Sequence, residues 1–266
     1  MGDARHLEPM GSEFSQEEFT ILVTGFGPFR VQYPVNPSWE IARGLPAYLP
    51  PLRAKDPRAR SSSSAEATAA AGADMPRVRI LVHPEAIRVT YKTVRGLVPS
   101  FWDDAATQHG GQRIDACVHI GMASARPQYA LERRAHRTGY LKPDVAGEFL
   151  EDELPGGRDG DWIWSGLPDE LESALDIPNI HLRWKELSSP DMDLRISDDP
   201  GRYLCDFIYY SSLATLHKQQ RPGKVCFLHV PADASDVAVE RGRELAVNLI
   251  RAVAESELAD KRRAAK

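Results

Sequence analysis

The chain has 266 residues, 42% hydrophobic and 27% charged, with 33 basic against 38 acidic side chains and a net charge of −5. That balance argues against a nucleic-acid partner, for which a basic stripe is expected, and the absence of an apolar run of about 18 residues argues against a membrane-spanning helix. A chain this long can bury a large core without a disulfide or a structural metal. Its three cysteines do not suggest a disulfide framework, so the cytoplasm is the expected compartment.

Residues 1–18 are polar and read as a flexible leader, with no apolar segment of secretory type. Met10-Gly11-Ser12-Glu13-Phe14-Ser15 fits an acylation pattern only if read from Met10, and the polar-leader reading is preferred. The apolar run Ile21-Leu22-Val23, closed by Thr24-Gly25-Phe26-Gly27-Pro28-Phe29, predicts a buried strand and its turn. Asn36 can cap a helix that Pro37 opens. Residues 51–77, with Ser61 to Ser64 and an Ala-rich stretch up to Met75, read as a low-complexity loop insertion. Val78–Val82 predicts a strand. The alternation of Ile87, Val89 and Tyr91 with Arg88, Thr90 and Lys92 predicts another, half-buried one.

A helix is expected over Val94–Ala106, and a strand over Ile114–Ile120. The Gly- and acid-rich stretch Asp144–Asp169 reads as a surface excursion. A helix near Asn179–Leu187, a strand over Met192–Ile196, a helix over Arg202–Gln219, a strand over Val225–Val230 and a long helix from about Ser235 complete the chain. Strands alternating with helices imply an α/β fold with a mostly parallel sheet covered on both faces. The expected domain spans residues 19–258, followed by a charged tail over 259–266.

Gly25-Phe26-Gly27 lacks the third glycine of a dinucleotide turn, since Arg30 stands there. His83-Pro84-Glu85 has no Pro-Cys-x-x-Cys to complete a zinc deaminase. No pair of cysteines or histidines has zinc-ligand spacing. Cys117 and Cys226 lie inside apolar strands and read as buried hydrophobes. Cys205 follows the breaker Asp199-Pro200-Gly201, in the first turn of a helix, where unpaired N–H groups favour a thiolate. A helix core cysteine is the plainer alternative. His229 ends the strand Val225–Val230, at the edge where α/β sheets open onto ligands. Together, Cys205 and His229 have the residue types of a thiol–imidazole pair. Spacing alone does not single out Glu132 among the 38 acids.

Five blocks in order resemble pyroglutamyl peptidase I (pyrrolidone-carboxylate peptidase), a family of cysteine exopeptidases. They are Thr24–Phe29, Asn36-Pro37-Ser38-Trp39, Glu132, Gly201-Arg202-Tyr203-Leu204-Cys205-Asp206-Phe207 and Phe227-Leu228-His229-Val230-Pro231. The fourth block is similar to the animal and fungal branch. The resemblance implies a single-domain three-layer α/β/α sandwich and hydrolysis of the amide bond after an N-terminal pyroglutamyl residue. It implies small pyroglutamyl peptides as substrates and no cofactor or metal. It further implies Cys205 as nucleophile, His229 as base and acid, and Glu132 as the acid that orients the imidazole. Phe26 and Tyr203 would sandwich the lactam, with Phe29 and Asn36 beside it. Tyr203 stands where bacterial members have Phe, so its hydroxyl needs a partner. A cysteine amidase or thioesterase for another acyl group, or a silent binding protein on the same scaffold, are the competing readings.

Overall fold

The computed structural model describes residues 18–52, 76–103, 113–159 and 162–264. Residues 1–17 of the expected leader, 53–75 of the expected insertion and 104–106 of the expected helix end lie outside the described residues. In chain order the elements are β1 (Phe19–Gly25), α1 (Pro37–Arg43), β2 (Val78–Val82), α2 (Tyr91–Phe101), β3 (Ala116–Met122), β4 (Tyr129–Glu132) and β5 (Arg134–His136). They continue with β6 (Glu170–Glu172), α3 (Ile177–Leu187), β7 (Leu194–Ser197), α4 (Leu204–Lys218), β8 (Val225–Val230) and α5 (Asp236–Ala264).

Six strands form one sheet in the order β2-β1-β3-β8-β4-β7. Four neighbouring pairs are parallel, and only β4–β8 is antiparallel. β5 and β6 pair separately as a short antiparallel ribbon. The central strands β1, β3 and β8 are buried along their whole length. That explains their mostly apolar runs, because a sheet covered on both faces needs apolar residues at both parities.

Strand parity sorts the core into two halves. Ile21, Val23, Val118, Ile120, Leu228 and Val230 pack with Ile41 of α1, Trp184 of α3 and Leu249 of α5. Leu22, Cys117, Val225 and Phe227 pack with Val94 of α2 and Phe207 of α4 on the other face. The three layers expected from the alternation of strands and helices are present. Trp184 locks one outer layer by donating its indole N–H to the carbonyl of Leu245, at 2.8 Å.

The segment from Ile87 to Tyr91 corrects the expected strand. Ile87, Val89 and Tyr91 are buried, but so is Thr90, which the alternation expected on the exposed side, and the ladder amounts to one bridge between Phe26 and Ile87. Thr90 then caps α2 by accepting from the N–H of Thr93, which turns the chain into a helix three residues before the expected start at Val94. β3 runs through Gly121 to Met122, beyond its expected end at Ile120. α5 continues to Ala264, so residues 259–264 of the expected charged tail are helical.

The acidic excursion is anchored. Asp144 accepts from the backbone N–H groups of Tyr91, Ala146 and Glu148. Arg95 pairs with Asp152 through both guanidinium N–H groups, and Trp164 is buried against Phe207.

Candidate active site

Parity places three side-chain positions on the α4 face. Leu131, Leu228 and Ile120 point into the opposite half of the core, so Glu132, His229 and Gly121 point toward α4. Register then brings them side by side. Gly121 pairs with His229 across β3–β8, while Ala130 pairs with His229 and Glu132 with Phe227 across β8–β4. The His229 Nδ1 lies 2.7 Å from Glu132 Oε1. Glu132 is fully buried and His229 nearly so. Because a carboxylate only accepts, this contact places a proton on Nδ1.

Cys205 is the second residue of α4. The turn before the helix needs Gly201 in the left-handed region, at φ +86°, which a side chain would strain. No side chain caps α4, so its first backbone N–H groups remain open at the site. The sulfur abuts Gly121 so closely that a Cβ there would lie 3.0 Å from Sγ and 2.5 Å from the Phe227 ring. Only glycine lets the sheet edge and the helix start approach this far.

Cys205 and His229 line one cavity of about 330 Å³, together with Phe26, Phe29, Asn36, Met122, Tyr203 and three cations, Arg30, Arg126 and Lys142. No carboxylate is among the lining residues. A larger cleft of about 560 Å³, lined by Asp191, Glu240 and Arg241, contains neither a cysteine nor a histidine. Among the described residues, no group of His, Cys, Asp and Glu is arranged to hold a metal ion.

The pocket residues have distinct local partners. Asn36 Oδ1 accepts from the backbone N–H and the hydroxyl of Ser38, and Nδ2 donates to the carbonyl of Gly27 at 2.9 Å. Its amide therefore shapes the turn under Phe26 and keeps one N–H uncommitted. Tyr203 donates its hydroxyl to the carbonyl of Pro143 at 3.2 Å, which supplies the partner that hydroxyl needs. Phe29 stacks on Tyr33 at a 6.2 Å centroid distance.

The expected thiolate at Cys205 is corrected by its surroundings. Burial pushes the thiol up to about 12, and Glu132 and Asp206 push in the same direction, while Arg126 opposes them. A helix start favours the anion, but desolvation next to two carboxylates outweighs it. Burial and the carboxylates both favour the protonated thiol at rest.

Burial also raises Cys226 to about 12 and holds Cys117 well above its usual value. The folded chain keeps these protons where an unfolded chain loses them, so stability is present below about pH 9 and falls as pH rises toward 12. The expected result is a falling Tm between pH 8 and 10.5, with a shallower slope in Cys226→Ala. A flat profile in the wild type would contradict it.

Arg126 is the residue that sequence reasoning missed. It donates to Glu132 Oε1 at 2.9 Å, the same oxygen that His229 uses. Local sequence gives no signal for this, because the contact depends on how the loop after β3 folds back across β4.

Among models of known protein families, none matches the chain. Individual relatives do. The chain is 30% identical to human pyroglutamyl-peptidase 1 over 216 residues, covering 81% of this chain and 80% of that protein. It is 27% identical to the pyrrolidone-carboxylate peptidase of Thermococcus onnurineus over 212 residues, 79% of this chain and 82% of that one. A solved structure of a point variant of pyrrolidone carboxyl peptidase from Pyrococcus furiosus shares the fold. Its TM-score is 0.62 at 22% identity, over 90% of this chain and all of that one. The extent of the match to the human protein and the shared α/β/α fold lead to one conclusion: the chain belongs to the pyroglutamyl-peptidase 1 family.

Proposed function

We propose that this protein is a cysteine exopeptidase that hydrolyses the amide bond after an N-terminal pyroglutamyl residue. The observation that carries the reading is the meeting of Cys205, at an uncapped helix start, with the His229–Glu132 pair on one cavity walled by Phe26 and Tyr203. A pyroglutamyl group is small, flat and uncharged, and suits apolar faces with few polar partners. An aminopeptidase for free N-termini needs an anion for the α-ammonium, and this lining offers cations and no carboxylate. The uncommitted N–H of Asn36 is available to a lactam carbonyl.

The chemistry follows from the protonation states. His229 Nδ1–H donates to Glu132, which leaves Nε2 as the base. As Cys205 Sγ attacks the pyroglutamyl carbonyl, Nε2 takes the thiol proton, so thiolate forms with the attack rather than before it. The open N–H groups at the start of α4, including that of Cys205, stabilise the oxyanion. The imidazolium, held against Glu132, gives its proton to the leaving amine. Water deprotonated by Nε2 then hydrolyses the thioester and regenerates the thiol. The three unpaired cysteines suit a reducing compartment such as the cytoplasm.

The test is release of a fluorogenic amine from a pyroglutamyl amide by the reduced protein, with and without iodoacetamide. Thiol-sensitive release is expected. No release by the folded, reduced protein would overturn the reading in favour of another acyl group or a binding role.

Arg30 and Lys142 bear on the rest of the substrate. The pyroglutamyl ring is neutral, so any charge selection must act on the leaving peptide. At low salt, a substrate with Glu after pyroglutamate should show a KM about threefold below that of its Lys counterpart, the modest size expected for exposed charges. The difference should shrink at high salt. Equal KM values at both ionic strengths would rule out charge selection.

A further inference from the structure

Glu132 is fully buried, and its Oε2 has no hydrogen-bond partner. Its orientation therefore depends on Oε1, which receives two donors: His229 Nδ1 at 2.7 Å and Arg126 Nη1 at 2.9 Å. The same guanidinium also reaches Ser197 Oγ at 3.3 Å and the carbonyl of Asp199 at 2.7 Å. Ser197 ends β7 directly opposite Glu132. Asp199 begins the turn through Pro200 and Gly201 into Cys205, and its carboxylate accepts from the Gly201 N–H at 3.0 Å. One side chain thus touches the acid of the site, the strand beside it and the segment that leads to the nucleophile.

We infer that Arg126 is a positioning residue that couples Glu132 to the turn carrying Cys205, so that the imidazole and the thiol are set by one clamp. Loss of the guanidinium frees the carboxylate to rotate toward its unpartnered oxygen, which weakens its hold on His229 Nδ1. It also unfastens the Asp199–Gly201 turn from the sheet. Finally, it removes the one cation that opposes the burial and the carboxylates acting on the Cys205 thiol. The inference rests on the peptidase reading for its kinetic consequences but not for its geometry.

The test is a double-mutant cycle of Arg126→Met with Glu132→Gln, read on a pyroglutamyl amide, together with substrate-free alkylation of Cys205. Arg126→Met is expected to lower kcat about 10- to 100-fold, the worth of a charged hydrogen bond, with KM within about threefold of wild type. Arg126→Lys should recover part of kcat. The double variant should be no worse than Glu132→Gln alone, since residues acting through one another are not additive. Additive losses, or a raised KM at unchanged kcat, would overturn the inference, the second by making Arg126 a substrate contact. If Arg126→Met does not fold, Arg126→Lys is placed in the cycle instead, with a smaller kcat loss and the same non-additivity expected. Iodoacetamide should alkylate Cys205 more slowly in folded Arg126→Met than in the wild type, with Arg126→Lys, which keeps the charge, in between, and an unchanged rate in Arg126→Met would overturn the inference. If the wild type releases nothing from pyroglutamyl amides, the peptidase reading fails, and Arg126 is judged by the alkylation rates alone.

Discussion

Cys205→Ala will fold and will hydrolyse no pyroglutamyl amide, a loss on the order of 10⁴-fold or more, as expected when a covalent nucleophile is removed. The fold should survive because the substitution is small and the thiol is neutral in the folded protein. Burial and the neighbouring carboxylates push the thiol up, to about 12, so the substitution removes no charge at neutral pH. The sulfur faces Gly121 across the site, so its removal relieves contact there and creates no clash. The measurement is kcat/KM for a fluorogenic pyroglutamyl amide beside a thermal melt. Near-wild-type turnover in the variant would refute Cys205 as the nucleophile. The raised thiol adds a second expectation: alkylation of the resting enzyme at pH 7 is slow and rises with pH, unlike that of a preformed thiolate.

Glu132→Gln is the second large loss, up to about 10⁴-fold in kcat, the loss seen when the acid behind a catalytic histidine becomes an amide. Two donors, His229 and Arg126, converge on Oε1. A neutral amide accepts both less strongly and cannot balance the imidazolium that forms during attack. If the amide turns its NH2 toward Nδ1, the imidazole takes the other tautomer, and Nε2 can no longer receive the thiol proton. The loss should remain smaller than that of Cys205→Ala, with little change in KM. An equal loss would mean that Glu132 does more than hold and balance the imidazole. Unchanged kcat would remove it from the mechanism. A fall in Tm is also expected, because Arg126 loses its only buried anionic partner.

Much of this site is written locally. A breaker followed by a helix places Cys205 at a helix start, and the last residues of an apolar strand place His229 at the sheet edge, because both are consequences of short-range backbone geometry; their roles came from the family resemblance. Glu132 has no such mark. Its place beside His229 comes from the one antiparallel pairing in the sheet, β4 with β8, between residues 97 positions apart. Only the resemblance of the surrounding blocks to a known family singled it out in the sequence. The strand expected over Ile87–Tyr91 failed for the opposite reason. Its apolar residues are buried as the pattern implies, but Thr90 is buried with them and caps a helix, so local capping overrode periodicity.

The alternation of strands and helices, a sheet covered on both faces, and the places of thiol and imidazole along the chain were legible in the residues. Each of these follows from periodicity or from a breaker within a few residues. Three features arise only from the folded arrangement: burial pushing the Cys205 thiol up, a cavity lined by cations and no carboxylate, and Arg126 sharing the acid with His229. Desolvation and Coulomb interactions depend on distances between segments far apart in the chain, and no local pattern encodes those distances.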